Sequence, residues 1–292
     1  MTVCIGAICT IPNLGQGIVS CSDTRSVVQG FSSSDRTWKR EFIQDKTFAL
    51  LSGQLSCGKE LASMYREYLG SGESQIALTG GTILDHFREP PRRLKEKLVE
   101  ESFRLKWAVS YQDFLNGKLN SLTEAQLMQI GLDINNIVFP DGTQMLIGSL
   151  ETGTPLLFTV DPNGQVFEEE NFAVVGSGYS IARAALCHRE YHQHFPLDAA
   201  LYAVFEAKRL SQGDPQVGPE TAMWIDYLDE NSKRVLHPLS PNDQTFLESQ
   251  FAVFGPRPLV SPGVPPDVKK VGIRGVAETT SAAAIRAPSH ND

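Results

Sequence analysis

The 292-residue chain has no Cys-x-x-Cys pair, and its five cysteines are an odd number spread singly along the sequence. This pattern argues against a disulfide framework and is typical of small buried thiols in a reducing compartment. The chain also lacks a basic stripe, and its net charge of −8 argues against a nucleic-acid surface. No apolar run approaches the ~20 residues that span a membrane, and no signal peptide is visible. We therefore predict a cytoplasmic protein without nucleic-acid or membrane partners.

What the sequence does contain is the composition of an ordinary globular domain. Hydrophobic residues make up 41% of the chain and charged residues 21%, and the length is ample for a buried core. The composition changes near the C-terminus, where a proline-rich stretch precedes an end rich in Ala, Thr and Ser. We predict one domain over residues 2–254, with an insertion at about 111–140, and a disordered tail over residues 255–292.

The first 70 residues alternate between short apolar runs and turn residues. Val3–Cys9 and Ile18–Ser22 flank a turn-rich connector, which predicts a β-hairpin. Glu41–Gln44 and Thr47–Leu51 flank Asp45-Lys46 and predict a second hairpin. Apolar residues at helical spacing then predict a helix over about 56–69.

The order of elements repeats in the remainder of the domain. Residues 82–110 have a helical pattern, which we expect Pro90-Pro91 to interrupt. The pattern further on predicts strands at 144–149, 155–160 and 172–175, helices at 180–191 and 197–211, and a strand at 222–228. Strands and helices in this order predict an α+β fold, a four-layer αββα sandwich in which two antiparallel sheets lie between helix layers.

Thr2 follows the initiator Met1 and opens the first strand-like run. A small second residue permits removal of the methionine, so we expect the mature chain to begin with Thr2 and a free α-amine. An N-terminal threonine holds a hydroxyl nucleophile and a general base within one residue. The ordinary pKa of an α-amine is about 7.7–8.0, so a useful fraction is neutral near pH 7.

Further residues follow Thr2 in an order and spacing that carry a resemblance. Asp23 ends the first hairpin, Lys39 lies sixteen residues later, and Gly53 lies fourteen beyond Lys39. Gly176-Ser177-Gly178 follows a strand in the second half. Over roughly residues 2–228 this order resembles the proteasome β-type subunits, members of the N-terminal-nucleophile hydrolases. The Met-Thr start is similar to the bacterial proteasome-like branch of HslV and Anbu, and Val217-Gly218-Pro219 is closer to Anbu.

The resemblance implies a role for each matching residue. The Thr2 hydroxyl would attack a peptide carbonyl, with its own α-amine as base. Lys39 would keep that amine neutral by its positive charge, and Asp23 would orient Lys39. The Gly53 N–H would stabilise the oxyanion, and Ser177 would hold the Thr2 amine and a water. The implied substrate-binding residues are Val27, Thr37, Leu51 and Lys59.

One loop departs from the family pattern. The family places an Asp and a Ser, three residues apart, before the last strand, where both support the threonine amine. Aligning Val217-Gly218-Pro219 leaves Gly213 and Gln216 at those two positions. Asp214 is displaced by one residue, and we count it as a candidate catalytic residue. Taken singly, Asp23 is also typical of a turn at a strand end, and Lys39 of an exposed lysine.

These residues together predict a threonine-type peptidase that hydrolyses peptide bonds. Two alternatives stay open: a catalytically silent ring subunit, and a small-molecule amidase of the same fold. The resemblance implies a peptide or unfolded protein as substrate, a homo-oligomeric ring, and an ATP-dependent unfoldase as a further candidate partner. We expect no cofactor and no metal, because the cluster of His188, His192 and His194 lacks a carboxylate and is more typical of a solvated helix end.

Overall fold

The computed structural model describes residues 2–24, 26–28, 31–34, 38–71, 83–108, 110–117 and 122–255. The predicted tail after residue 255 lies outside these ranges, as do Met1 and Thr37. The chain divides into two compact units. The first comprises Met1–Trp38, Gly148–Leu157 and Glu170–Asp292, and the second comprises Lys39–Ile147 and Phe158–Glu169.

Twelve strands and seven α-helices lie in the described residues. The strands are β1 Val3–Ile11, β2 Gly15–Asp23, β3 Ser26–Val28, β4 Phe31–Ser34, β5 Arg40–Gln44, β6 Thr47–Ser52, β7 Gln144–Ser149, β8 Leu156–Val160, β9 Val166–Glu169, β10 Phe172–Gly176, β11 Thr221–Leu228 and β12 Arg234–Pro238. The helices are α1 Leu55–Gly70, α2 Ile83–Trp107, α3 Tyr111–Leu115, α4 Glu124–Asn135, α5 Tyr179–His188, α6 Leu197–Ser211 and α7 Pro241–Phe254, with a 3-10 turn at Pro140–Gly142.

The first unit contains an antiparallel sheet with the strand order β10-β1-β2-β11-β12. The predicted hairpin of β1 and β2 is confirmed, and its connection carries two left-handed residues, Asn13 with φ 64° and Gly15 with φ 89°. Strand β1 is buried along almost its whole length and lies between β10 and β2. Its apolar residues can therefore contribute to the core on both faces.

Helices α5 and α6 pack on this sheet, and α6 is buried at nearly every position. The sequence did not predict β12 or α7. Strand β12 is a half-exposed edge strand, and α7 has one fully buried side chain, Leu247, so neither has a strong apolar pattern. A capping box, in which Ser240 and Asp243 each accept a backbone N–H, fixes the start of α7.

The second unit contains most of the other five-stranded sheet, which has the order β5-β6-β7-β8-β9. The predicted hairpin of β5 and β6 is confirmed, and so is the helix that follows it, which packs against both strands as α1. Strand β9, which the sequence did not predict, completes the sheet after the turn at Asp161–Gly164.

The prediction that Pro90-Pro91 interrupts the helix is wrong, because α2 runs without a break from Ile83 to Trp107. A proline at position 91 cannot donate to the carbonyl of Phe87, four residues earlier. The Tyr65 hydroxyl donates to that carbonyl at 2.6 Å and satisfies it. Both prolines are also buried, on the same helix face as Phe87 and Leu94. Packing and this substitute hydrogen bond offset the cost of two prolines.

The segment predicted as an insertion, 111–140, is largely helical where it is described. Helix α3 begins after a Ser110 cap, and α4 begins with a capping box between Thr123 and Gln126. Several side chains in and near this segment are exposed and apolar, among them Leu115, Leu127, Met128 and Leu132.

The predicted fold class is confirmed: the described residues form an α+β structure with two antiparallel five-stranded sheets and seven α-helices. Among the described residues, no helix combines the length and the apolar character that crossing a membrane requires.

Candidate active site

Thr2 lies immediately before β1, next to the end of β10. The antiparallel register pairs Val3 with Gly176, which brings Ser177 and Gly178 beside Thr2. The Gly178 N–H and the Ser177 hydroxyl both donate to the Thr2 carbonyl oxygen, each over a long distance of 3.4 Å. Thr2 is 2% exposed. The contact of Ser177 thus runs to the Thr2 carbonyl, which fixes the backbone of this residue.

Asp23 is the last residue of β2 and is fully buried. Its Oδ1 accepts the Val3 N–H at 3.2 Å, and its Oδ2 accepts the Gly218 N–H at 2.9 Å. Two backbone donors fix the orientation of this carboxylate. Asp23 therefore links the residue after Thr2 to the segment that leads into β11.

Gly178 has no room for a side chain. A Cβ atom there would lie 2.9 Å from the Ser211 Cβ, 3.0 Å from a Val217 methyl carbon and 3.1 Å from the Val3 Cβ. Three parts of the first unit thus meet at this glycine: the start of β1, the end of α6 and the loop before β11. A residue larger than glycine would force them apart at the position next to Thr2.

The loop after α6 is the one that departs from the family pattern. The Asp214 carboxylate accepts the N–H of Gln216 at 2.9 Å, a bond within the loop itself. Ser211 is buried and donates to the carbonyls of Ala207 and Lys208, at 2.7 and 2.9 Å, so its hydroxyl is used within the helix. Gly213 and Gln216 are exposed.

Lys208 is a residue of this region that sequence reasoning missed. It is fully buried in α6, and its ammonium donates to the carbonyls of Gly218 and Pro219, at 2.9 and 2.8 Å. Burial lowers the pKa of Lys208 from its ordinary 10.5 to about 8, against the opposing attraction of the Asp23 and Glu248 carboxylates. In the sequence Lys208 stands in a charged stretch, between Glu206 and Arg209, which is typical of a lysine that reaches solvent.

Lys39 and Gly53 belong to the second unit. Lys39 is 3% exposed, which is unusual for a lysine, and its carbonyl accepts the Leu51 N–H at 2.8 Å. Gly53 has a φ of 85° and precedes α1; a Cβ there would lie 2.6 Å from the Thr143 Cα. Both the left-handed backbone and this close approach require glycine. The roles of Lys39 and Gly53 towards Thr2 stay predictions.

The predicted substrate-binding residues differ in their surroundings. Leu51 is fully buried in β6, in contact range of Gly58 in α1, where a Cβ would lie 3.3 Å from its methyl carbons. Lys59 has an exposed side chain that reaches Glu41 at 3.9 Å. Val27 lies in β3, a strand of which only the backbone is described, and Thr37 lies outside the described residues. Their roles as a specificity pocket stay predictions.

The described residues contain no group of three or more His, Cys, Asp or Glu side chains placed to hold a metal. The three histidines of the predicted solvated helix end, His188, His192 and His194, are exposed, as expected. Four cysteines are buried and Cys187 is exposed, and all five are free thiols. Burial raises the pKa values of Cys9 and Cys21 to about 12, so neither thiol is a reactive thiolate near neutral pH.

A sequence model of the proteasome subunit family matches residues 119–210. The matched range includes β7 to β10, α5, most of α6 and Ser177, but it does not reach Thr2, Asp23, Lys39, Gly53 or Asp214. Over this range the chain is similar to proteasome subunits. Together with the two antiparallel sheets, the similarity supports the class of N-terminal-nucleophile hydrolases, and proteasome family members are generally peptidases that assemble into rings.

Proposed function

We propose that the protein is a threonine-type peptidase whose nucleophile is the hydroxyl of an N-terminal Thr2. The observation that carries the proposal is the way the first unit holds this residue. Ser177 and Gly178 bind its carbonyl, and Asp23 binds the N–H of the next residue. Asp23 and Ser177 contribute through their side chains, and Gly178 through its backbone N–H. Their joint effect is to fix the backbone of Thr2 from two sides, as a reacting terminal residue requires.

In the proposed reaction the Thr2 hydroxyl attacks the carbonyl carbon of a peptide bond, and the α-amine of Thr2 accepts the hydroxyl proton. The tetrahedral intermediate then expels the amine half of the substrate, which takes up that proton. Water hydrolyses the remaining ester on Thr2 and regenerates the hydroxyl. The base must be unprotonated at the start of the reaction. The mature chain must therefore begin at Thr2 with a free, neutral α-amine.

Lys39 and Gly53 complete the proposal from the second unit. A buried lysine ammonium lowers the pKa of a neighbouring amine, because two positive charges repel each other. The burial of Lys39 supports this role over that of a solvated surface lysine. The Gly53 N–H is proposed as the oxyanion donor, an interaction whose loss typically costs about 3–4 kcal/mol of barrier.

The proposed substrate is a peptide or an unfolded protein, with Val27, Thr37, Leu51 and Lys59 lining the specificity pocket. Assembly into a homo-oligomeric ring would separate the nucleophile from folded proteins, and an ATP-dependent unfoldase is proposed as a partner. Within the family we propose the bacterial HslV- or Anbu-like branch. The Gly218 contact with Asp23 supports a structural role for the Val217-Gly218-Pro219 motif on which this placement rests.

A catalytically silent ring subunit is the second candidate, and the loop before β11 favours it. Gly213 and Gln216 stand where the family has an Asp and a Ser, and the nearby Asp214 carboxylate bonds within the loop. Without those groups the Thr2 amine has fewer hydrogen-bond partners. A silent subunit would keep the fold and the ring but would not react at Thr2.

A peptidyl β-lactone tests the proposal without knowledge of the natural substrate. Attack by the Thr2 hydroxyl opens the lactone ring and adds the whole reagent as an ester, so the protein gains the full mass of the lactone. We expect one adduct per chain, located on Thr2 by fragmentation mass spectrometry. Thr2→Ala should give none, whereas Thr2→Ser should keep the reaction. An unmodified Thr2 in a folded wild-type protein would contradict the peptidase and favour the silent subunit.

A further inference from the structure

The buried ammonium of Lys208 is connected to the Thr2 end by a continuous chain of hydrogen bonds. Lys208 donates to the carbonyl of Gly218, the N–H of Gly218 donates to Asp23, and Asp23 accepts the N–H of Val3. Every member of this chain lies in the first unit and is buried. A second bond, from Lys208 to the Pro219 carbonyl, fixes the next residue of the same loop.

We infer that Lys208 is a positioning residue of the active site. Its hydrogen bond to the Gly218 carbonyl holds in place the Gly218–Asp23 hydrogen bond, which in turn supports Thr2. The inference rests on the proposed role of Thr2 as nucleophile. The same contact would compensate for the departure of this loop from the family pattern. The usual Asp and Ser are absent at Gly213 and Gln216, and the loop is held by a lysine from α6 instead.

The energetics favour a specific role over incidental burial. A lysine is rarely fully buried unless it is paired, because its charge loses hydration. Within the part of the chain that the structure describes, no carboxylate forms an ion pair with this ammonium; two backbone carbonyls accept its hydrogen bonds. An aliphatic residue would fill the same space in α6 without that cost. A lysine at this buried position therefore costs stability, as is common at functional sites.

The surroundings of Lys208 define how its charge depends on pH. Cys21 and Asp23 face it from β2, Arg209 is its neighbour in α6, and Glu248 lies in α7. Asp23 and Glu248 stabilise the ammonium, Arg209 destabilises it, and burial has the largest effect. With a pKa of about 8, Lys208 loses its positive charge just above neutral pH. The neutral amine is a weaker donor to the Gly218 and Pro219 carbonyls.

The test compares the rate of β-lactone addition to Thr2 in three full-length variants. Lys208→Met removes the donor but keeps the side-chain volume, and we expect a fall of about 10- to 100-fold, as for a reacting group misplaced by about 1 Å. Lys208→Arg keeps a permanent charge and should recover part of the rate. The double variant Arg189→Met/Glu206→Leu is the control: it removes the buried ion pair of these two side chains, and it should react at the wild-type rate.

The pH profile separates positioning from a merely structural role. As the pH is raised, the wild-type rate should first rise, because the Thr2 amine loses its proton. Above pH 8 it should fall again, because Lys208 loses its proton. Lys208→Arg should lack that alkaline fall. A wild-type rate in Lys208→Met, or the same alkaline fall in Lys208→Arg, would overturn the inference.

Amide hydrogen exchange in the wild type decides the matter if Lys208→Met does not fold. After correction for intrinsic rates, raising the pH from 7 to 9.5 should lower the protection of the Gly218 and Val3 amides relative to that of Val19 in β2. A uniform response would contradict the role of Lys208. Absence of any Thr2 adduct in the wild type would instead refute the proposed function, since the exchange pattern does not depend on reaction at Thr2.

Discussion

Arg189 and Glu206 form a buried bidentate ion pair that joins the end of α5 to α6. The Arg189 Nε donates to one carboxylate oxygen at 2.6 Å, and a terminal nitrogen donates to the other at 2.7 Å. The side chains are 10% and 5% exposed. The guanidinium also lies 5.4 Å from the ring centre of Tyr202, so its non-bonded surface is covered by an aromatic side chain.

Breaking this pair should cost far more than replacing it. Arg189→Met leaves the Glu206 carboxylate buried without its partner, and we expect the free energy of unfolding to fall by about 3–5 kcal/mol. Adding Glu206→Leu removes the stranded charge and should recover much of that loss. Urea unfolding of both variants and the wild type measures the two differences. Equal stability of the single and double variants would show that the unpaired Glu206 carboxylate is solvated in the folded single variant.

The purified protein should begin at Thr2. The proposed base is the α-amine of Thr2, so the initiator methionine must be absent and the amine unblocked. Intact mass measurement distinguishes the chain with Met1, the chain without it and an acetylated form. A protein that hydrolyses peptides while it retains Met1 would contradict the amine as base.

Thr2→Ala and Lys39→Ala should each abolish peptide hydrolysis and leave the fold intact. In the proposed mechanism Thr2 supplies the reacting oxygen, and Lys39 supplies the charge that keeps the amine neutral. Lys233→Ala, at an exposed turn, is the matched control and should retain full turnover. Peptide turnover measured together with circular dichroism tests this, and undiminished turnover in either site variant would mean that the site is elsewhere.

Wild-type turnover should be slow, and restoring the family pattern in the loop should increase it. Gly213→Asp combined with Gln216→Ser introduces the missing groups, and position 213 has space, because a Cβ there meets its nearest atom at 3.4 Å. We expect kcat to rise by about 10-fold or more, since better alignment of a base has effects of this size.

Variants at Ser177 and Asp214 serve as the comparison for this loop. Ser177→Ala should lower kcat, because it removes a contact to Thr2. Asp214→Asn should have a smaller effect, because its carboxylate contacts the N–H of Gln216. Fast wild-type cleavage that does not respond to the added Asp and Ser would show that this loop does not support the amine.

Stability should depend on pH through Lys208. Its pKa is lowered in the folded protein, from 10.5 to about 8, so between these values the unfolded chain binds a proton that the folded chain has released. The free energy of unfolding therefore rises with pH over this window, by at most about 3 kcal/mol at ~1.4 kcal/mol per pH unit. Lys208→Met should lack this component, which unfolding curves of both proteins at pH 7.5 and 10 would measure.

The hairpins, α1, α5 and α6 were predictable because each has a local pattern: apolar runs around turn residues, or apolar residues at helical spacing. The continuity of α2 was not, because it depends on the Tyr65 hydroxyl, which comes from a residue distant in the chain and satisfies the Phe87 carbonyl. Strand β12 and α7 bury too few side chains to give a pattern.

The candidate site likewise has a part that the sequence predicts and a part that it does not. The order of Thr2, Asp23 and Ser177 was sufficient to nominate them, and the strand registers bring these three together. The hydrogen bonds of Asp23 to Val3 and Gly218 involve backbone atoms, which carry no sequence signal. The role of Lys208 could not be predicted either, because burial of a single lysine is a property of the whole fold.

Strand β1 is synthesised first, but the residues that position it are synthesised much later. Its partner strand β10 ends at Gly176, and the donor that fixes Asp23 is Gly218. A growing chain on the ribosome therefore carries Thr2 from the outset without the groups that orient it. Reactivity at Thr2 should appear only after some 200 further residues have been added. Under the proposed function, the late synthesis of Gly218 would delay hydrolysis by Thr2 until most of the domain has been made, so that unfinished polypeptides nearby are not cleaved.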